Sequence, residues 1–151
     1  MVAQKKTPTS RRPLPFLGLT MGDPAGIGPE VIAKALADKA LARLCRPLVI
    51  GSRAVMEQTI GALKLPLRIV DGETALESRL QPGQVAVLDP LEGPLPAFEM
   101  GVAAAMTGAA SVAFIKKGVE LAMAERIGGI VTAPINKEAI NMAGYHYPGH
   151  T

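Results

Sequence analysis

Two groups of polar side chains near the end of the sequence have the types and spacing to bind a ligand. Thr132, Asn136 and Lys137 follow a short apolar run, and His150 and Thr151 follow a Pro-Gly turn. Groups just beyond the carboxyl end of a strand lie where open α/β sheets gather ligands. Lys137 could hold a phosphate or act on a carbonyl. The competing interpretation, favoured for these residues alone, is that Asn136 caps a helix while Lys137 faces solvent.

A second candidate ligand site is the segment 21–30, which is rich in glycine and proline and contains Asp23. It precedes a predicted helix, whose first backbone N–H groups are suited to phosphate or carboxylate oxygens. The segment does not match the dinucleotide fingerprint, because Val31 stands where that pattern requires its third glycine. Spacing alone therefore favours a structural turn over a binding loop, and Asp23 could cap a helix, bind a ligand or do neither.

Other catalytic and metal-binding patterns are weak in this sequence. His146 and His150 are four residues apart, but Pro148 lies between them and breaks the helix that a metal-binding pair would need. His150 beside Thr151 is better suited to hydrogen bonding or acid–base work, and His146 is predicted on the surface. No G-x-S-x-G elbow occurs. Cys45 has no nearby histidine, which predicts a buried or semi-buried structural thiol rather than a nucleophile.

Composition indicates a soluble globular protein with an aliphatic core. Hydrophobic residues make up 48% of the chain, with three Phe, two Tyr and no Trp, so aromatic platforms for single-stranded nucleic acid are not expected. The net charge of +3 comes from the basic residues of segment 1–15, without which the remainder is close to neutral. This segment is predicted to be a disordered leader rather than a nucleic-acid contact. No apolar run is long enough to span a bilayer. We therefore expect a cytoplasmic protein with no nucleic-acid or membrane partner.

Strand and helix patterns alternate along residues 16–151, which predicts an α/β fold. The predicted strands are short apolar runs bounded by glycine, proline or polar residues, at 16–20, 46–51, 67–71, 84–89 and 130–131. Helices are predicted at about 29–42, 53–62, 101–126 or 107–126, and 136–143. Ser52 is expected to cap the second of these helices. The alternation predicts a parallel or mixed sheet with helices on both faces.

Three segments carry a family resemblance, namely 19–30, 131–138 and 148–151. In their residues, order and separation they resemble the 4-hydroxythreonine-4-phosphate dehydrogenase family. The piece 26–31 is also similar to the first loop of isocitrate and isopropylmalate dehydrogenases. The resemblance therefore implies that fold, with a nicotinamide cofactor bound without the glycine-rich Rossmann turn. It extends over nearly all of 16–151 but only about the first half of the family's length, so this part is predicted to be the truncated N-terminal portion of a two-domain α/β dehydrogenase.

The resemblance also implies a reaction, namely NAD-dependent oxidation of the 3-hydroxyl of 4-phosphooxy-L-threonine, followed by decarboxylation, in pyridoxal phosphate biosynthesis. A divalent metal (Zn, Mg or Co) would act as Lewis acid, in a homodimer. Family positions matching His150 and Thr151 contact the substrate, and Asp23, Asn136 and Lys137 are weaker candidates for substrate or phosphate contacts. The family's metal-binding histidines lie further along the chain, so the resemblance implies no metal ligand in this sequence and no activity of the chain alone.

Two other interpretations of function stay open. Relatives with the same segments oxidise other substrates, such as phosphorylated sugar acids or aromatic cis-dihydrodiols, and the sequence does not reveal which residues choose among them. Alternatively, the chain is a non-catalytic ligand-binding or regulatory module.

Overall fold

The computed structural model describes residues 14–147, in which five strands form one sheet flanked by helices. The strands are β1 Phe16–Thr20, β2 Arg46–Ile50, β3 Arg68–Asp71, β4 Gln84–Leu88 and β5 Ile130–Thr132. The helices are α1 Gly28–Ala37, α2 Arg53–Ala62, α3 Gly72–Glu77, α4 Ala105–Met123 and α5 Lys137–Met142, with a 3-10 turn at Leu41–Arg43. None of the helices in this range is long and apolar enough to cross a membrane. Most of the predicted leader, 1–15, lies outside the described residues.

All strand pairs in the described part of the chain are parallel, in the order β3-β4-β2-β1-β5. The central strand β2 carries Leu48, Val49 and Ile50, all of which are 0% exposed. A run of consecutive buried apolar residues is typical of a parallel strand that is covered on both faces. The sheet confirms the predicted α/β class, and it is parallel where the sequence left a mixed sheet open.

The helices lie on both faces of the sheet, as predicted. The crossover from β1 through α1 to β2 runs in one direction across the sheet, while the crossover from β4 through α4 to β5 runs in the other. Because such crossovers are right-handed, α1 covers one face and α4 covers the opposite face. The α4 side chains Phe114 and Leu121 belong to the buried core, and α2 packs beside α1.

The first helix is shorter than predicted. Its expected end near residue 42 is wrong, because α1 stops at Ala37 and Asp38 has an extended backbone with φ −77° and ψ 114°. The Asp38 carboxylate accepts a hydrogen bond from the Ala40 N–H at 2.8 Å. Such a local bond offers the backbone an alternative to helix continuation, so the chain turns before it enters β2.

Two sequence predictions about single residues are confirmed. The Ser52 hydroxyl caps α2 by accepting a hydrogen bond from the Val55 N–H at 3.4 Å. Cys45 is buried, and this burial raises the pKa of its thiol. A raised pKa disfavours the thiolate form that a nucleophile requires, which favours the predicted structural role over a nucleophilic one.

Candidate functional site

The carboxyl ends of β1 and β5 are neighbours in the sheet and form the best-placed site for a ligand. The loop 21–27 follows β1, and the loop 133–136 follows β5. The chain leaves β1 through α1 on one face, whereas β5 leads to α5, which packs against α4 on the other face. Strands whose following helices lie on opposite faces form a topological switch point, where open α/β sheets bind their ligands.

Backbone hydrogen bonds join these two loops directly. The Ala133 N–H donates to the Thr20 carbonyl, and the Asp23 N–H donates to the Pro134 carbonyl, each at 3.0 Å. Gly22 lies between these bonds with φ +73°, and a Cβ at this position would overlap the Pro134 carbonyl oxygen. Only glycine tolerates both the backbone conformation and the close approach. The two loops therefore form one connected surface at the carboxyl end of the sheet. We call this surface the floor and the space above it the crevice.

Asp23 shapes the first loop from within. The residue is only 4% exposed, and its Oδ1 accepts a hydrogen bond from the Ala25 N–H at 2.9 Å. The Gly26 N–H donates to the Asp23 carbonyl, also at 2.9 Å. A side-chain bond to the backbone two residues on is the pattern of an Asx turn. Asp23 thus has a structural role in the loop, and its contact with a substrate stays a prediction.

In the second loop, the interpretation of Asn136 as a helix cap is confirmed. Its Oδ1 accepts hydrogen bonds from the Glu138 N–H at 2.9 Å and the Ala139 N–H at 3.2 Å, so it satisfies the first turn of α5. Lys137 is exposed, as the same interpretation predicted, and Thr132 is exposed at the end of β5. The crevice therefore offers a hydroxyl and an ammonium to solvent, whereas the Asn136 carboxamide oxygen is already used.

The remaining sequence candidates lie near the end of the chain. His150 and Thr151 fall outside the described residues, so their contacts with a substrate stay predictions. His146 is exposed, which confirms its predicted surface position. The neighbouring Tyr145 stacks on Tyr147 with ring centroids 6.0 Å apart, and the Lys116 ammonium of α4 lies 5.1 Å from the Tyr145 ring centroid. The Lys116 contact connects the segment after α5 to α4.

Sequence reasoning missed a group of buried hydroxyls beneath the crevice. Thr20 ends β1, and Thr107 and Ser111 lie one turn apart on α4; all three residues are 0% exposed. The Ser111 Oγ lies 3.0 Å from the Gly22 carbonyl oxygen. The Thr20 Oγ1 has no hydrogen-bond partner within residues 14–147. The sequence indicates two of these residues, Thr107 and Ser111, as hydroxyl residues at i and i+4 on the packed side of a long helix.

An open cavity of about 510 Å³ lies elsewhere, beside α3, α4 and the carboxyl ends of β3 and β4. Its carboxylates already have structural partners. Asp71 caps α3, and hydrogen bonds from the Thr74 N–H and hydroxyl lower the pKa of Asp71. Asp89 accepts a hydrogen bond from the first N–H of α2 at 2.8 Å, while Glu73 and Glu120 each form a salt bridge. We therefore place the candidate site at β1 and β5.

The described residues do not supply a metal centre. Within the range 14–147, no three His, Cys, Asp or Glu side chains lie close enough together to hold a metal ion. A zinc centre draws on three or four such side chains at once. The described residues therefore form no three-ligand side-chain set for the divalent metal that the family resemblance implies.

Comparison with known proteins identifies the family. The model of the family described as "Pyridoxal phosphate biosynthetic protein PdxA" matches residues 43–151. The chain belongs to this family. Among curated relatives, a 4-hydroxythreonine-4-phosphate dehydrogenase of Desulfosudis oleivorans is 42% identical to this PdxA chain over 139 residues. A D-threonate 4-phosphate dehydrogenase of Cupriavidus necator is 40% identical over 139 residues.

These likenesses cover most of the PdxA chain but less than half of each relative. The two curated alignments cover 92% and 91% of this chain and 41% of each relative. A crystal structure of a 4-hydroxythreonine-4-phosphate dehydrogenase from Burkholderia phymatum matches with a TM-score of 0.85 at 40% identity, over 92% of this chain and 42% of that one. The predicted family and its isocitrate/isopropylmalate dehydrogenase-like fold are confirmed. The predicted division at residue 16 and the second domain stay predictions.

Proposed function

We propose that the protein to which these residues belong is an NAD-dependent dehydrogenase of a phosphorylated four-carbon hydroxy acid. A hydride passes from the carbon that bears the 3-hydroxyl of 4-phosphooxy-L-threonine to NAD, and the hydroxyl proton is released. The carboxylate then leaves as carbon dioxide, on the route to pyridoxal phosphate. The observation that carries the proposal is the match to the family model. It is supported by the hydrogen-bonded contact of the loops 21–27 and 133–136, which belong to the segments that resemble the family, at a topological switch point.

On this proposal, the chain's own part in the reaction is to bind and orient the substrate. The joined floor of the two loops fixes where the substrate lies, and the exposed Lys137 ammonium suits the charge of its phosphate. His150 and Thr151 contact the substrate directly, an assignment that rests on the family resemblance. Asp23 and Asn136 act through the loops whose shape they hold. Such positioning lowers the entropic barrier to hydride transfer.

A divalent metal (Zn, Mg or Co) supplies Lewis-acid chemistry in this reaction when it is bound. The family resemblance implies that its histidine ligands lie in the part of the protein beyond Thr151, and no group of three potential ligands occurs within residues 14–147. On the same resemblance, the 151-residue chain is expected to be inactive alone. The complete enzyme is proposed to be a cytoplasmic homodimer that binds NAD without a Rossmann glycine turn, since Val31 occupies the third glycine position.

D-threonate 4-phosphate is a second candidate substrate with nearly equal support. The relative named for it is 40% identical to this chain, against 42% for the relative named for 4-hydroxythreonine 4-phosphate. It is a phosphorylated sugar acid, one of the alternatives that the sequence left open. The two substrates share the four-carbon chain and terminal phosphate, but threonine carries an ammonium at C2 where threonate carries a hydroxyl. The choice between them therefore requires a direct comparison.

Hydride transfer to NAD tests the proposed function. Absorbance of the reduced cofactor is followed with each phosphorylated acid and added divalent metal. The complete protein, with whatever its gene encodes beyond Thr151, is compared with residues 1–151. We expect the complete protein to oxidise at least one of the two acids and residues 1–151 to oxidise neither. Failure of the complete protein with both acids would reject the assignment, and turnover by residues 1–151 would refute the proposed origin of the metal ligands.

A further inference from the structure

Ser111 is a buried polar residue that connects the long helix α4 to the loop after β1. It is 0% exposed, so it cannot touch a ligand in the crevice. Its Oγ lies 3.0 Å from the Gly22 carbonyl oxygen and 2.9 Å from the Thr107 carbonyl oxygen. A hydroxyl has one hydrogen and can donate to only one of these oxygens at a time.

The Gly22 carbonyl is the oxygen that needs this donor. The Thr107 carbonyl already accepts the helical N–H four residues further along α4, which is the N–H of Ser111 itself. No other donor to the Gly22 carbonyl is found among the described residues. Gly22 is buried, and a buried carbonyl without a partner is strongly disfavoured. The Ser111 hydroxyl therefore donates to Gly22.

This hydrogen bond acts at the point where the two loops of the crevice meet. Gly22 has a positive φ and packs directly on the carbonyl groups of Ala133 and Pro134. The next residue, Asp23, donates its N–H to the Pro134 carbonyl at 3.0 Å. Rotation of the Gly22 peptide would therefore disturb the bond to Ser111 and the contact between the loops together.

We propose that Ser111 is a positioning residue for the substrate crevice, which it holds in its binding shape through the Gly22 carbonyl. The proposal rests on the proposed function of that crevice. Ser111 acts through the loop 21–27 and not on the substrate. Loss of its hydroxyl therefore makes the loop more mobile without removing a side chain that contacts the substrate. We expect Ser111→Ala to lower kcat/KM of the complete enzyme about fivefold or more, mainly through a higher KM, because the loop binds ground state and transition state alike.

The test compares three variants of the complete protein. Ser111→Ala removes the hydroxyl, and Ser111→Cys fills nearly the same volume with only a weak S–H donor. Ser52→Ala is the matched control, because Ser52 is a serine of similar burial (1% exposed) whose hydroxyl caps α2 at Val55. Each variant is measured for kcat and KM below its melting temperature. Hydrogen exchange of the loop 21–27 is followed by mass spectrometry in parallel.

The positioning role predicts a raised KM and faster exchange in this loop for both Ser111 variants, with neither change in Ser52→Ala. Normal kinetics and exchange in Ser111→Cys would overturn it, because volume alone would then suffice. Equal effects of all three variants would also overturn it, since they would reflect general destabilisation. If Ser111→Ala does not fold, Ser111→Cys decides. If the unsubstituted protein transfers no hydride, the proposed function fails, and loop exchange still decides whether Ser111 holds the loop.

Discussion

Replacement of Gly22 by alanine tests whether the two loops form a single structural unit. Gly22 has φ +73°, and an added Cβ would overlap the Pro134 carbonyl oxygen and lie 2.9 Å from the Ala133 carbonyl oxygen. Both obstacles are backbone atoms, so no side-chain rotation relieves the overlap. The loops must separate, which breaks the hydrogen bond from the Asp23 N–H to the Pro134 carbonyl.

Three contributions set the size of the effect of Gly22→Ala. A left-handed backbone costs alanine about 1–2 kcal/mol relative to glycine. Loss of one buried hydrogen bond adds about 1 kcal/mol, and the forced displacement of the loops adds about 1–3 kcal/mol. We therefore expect the free energy of unfolding to fall by about 3–6 kcal/mol.

Gly101→Ala is the matched control for this prediction. Gly101 has φ +78°, but an added Cβ would meet no atom within 4 Å, so only the backbone contribution of about 1–2 kcal/mol applies. Urea unfolding of both variants of the complete protein, followed by circular dichroism, measures the difference. Equal destabilisation by the two variants would refute the conclusion that the loops are joined at Gly22.

Three further predictions concern helix packing, capping and pH. Gly108→Ala places a Cβ against the backbone of α5 and should lower the melting temperature. Gly61→Ala in α2, whose added Cβ meets no atom within 4 Å, should raise the melting temperature. The reverse order of melting temperatures would contradict the α4–α5 contact. Asn136→Ala removes two capping bonds and should lower the unfolding free energy by about 1 kcal/mol in urea titrations. Hydrogen bonds from α3 lower the pKa of Asp71 in the folded protein. The ionised Asp71 carboxylate therefore stabilises the fold fully above the ordinary Asp pKa, and this stabilisation is lost as the pH falls through the lowered pKa. Below about pH 4, the melting temperature of Asp71→Asn should therefore decrease less steeply with falling pH than that of the unsubstituted protein. The same decrease in both proteins would contradict this prediction.

The fold could be predicted because its strands are separate apolar runs between strong turn signals. The prediction for β1, 16–20, matches Phe16–Thr20, and Ser52 marked the start of α2. The end of α1 could not be predicted in the same way. The side-chain bond of Asp38 that accompanies its end does not interrupt the apolar pattern, which continues to about residue 42.

The candidate site was only partly predictable for a related reason. The capping role of Asn136 depends on residues two and three positions away, so local sequence indicates it. The partner of Ser111 is Gly22, which is 89 positions away, and no local pattern connects the two. Their contact arises because α4 crosses β1 in the folded sheet. The sequence thus indicates the loops of the crevice but not the buried hydroxyl beneath them.

We propose that the substrate binds in the crevice between the carboxyl ends of β1 and β5. Hydrogen exchange of the complete protein, with and without the phosphorylated acid proposed as its substrate, tests this most directly. We expect slower exchange of backbone N–H groups in the loops 21–27 and 133–136 when the acid is bound. Protection confined to the cavity at the ends of β3 and β4, with both loops unchanged, would contradict it.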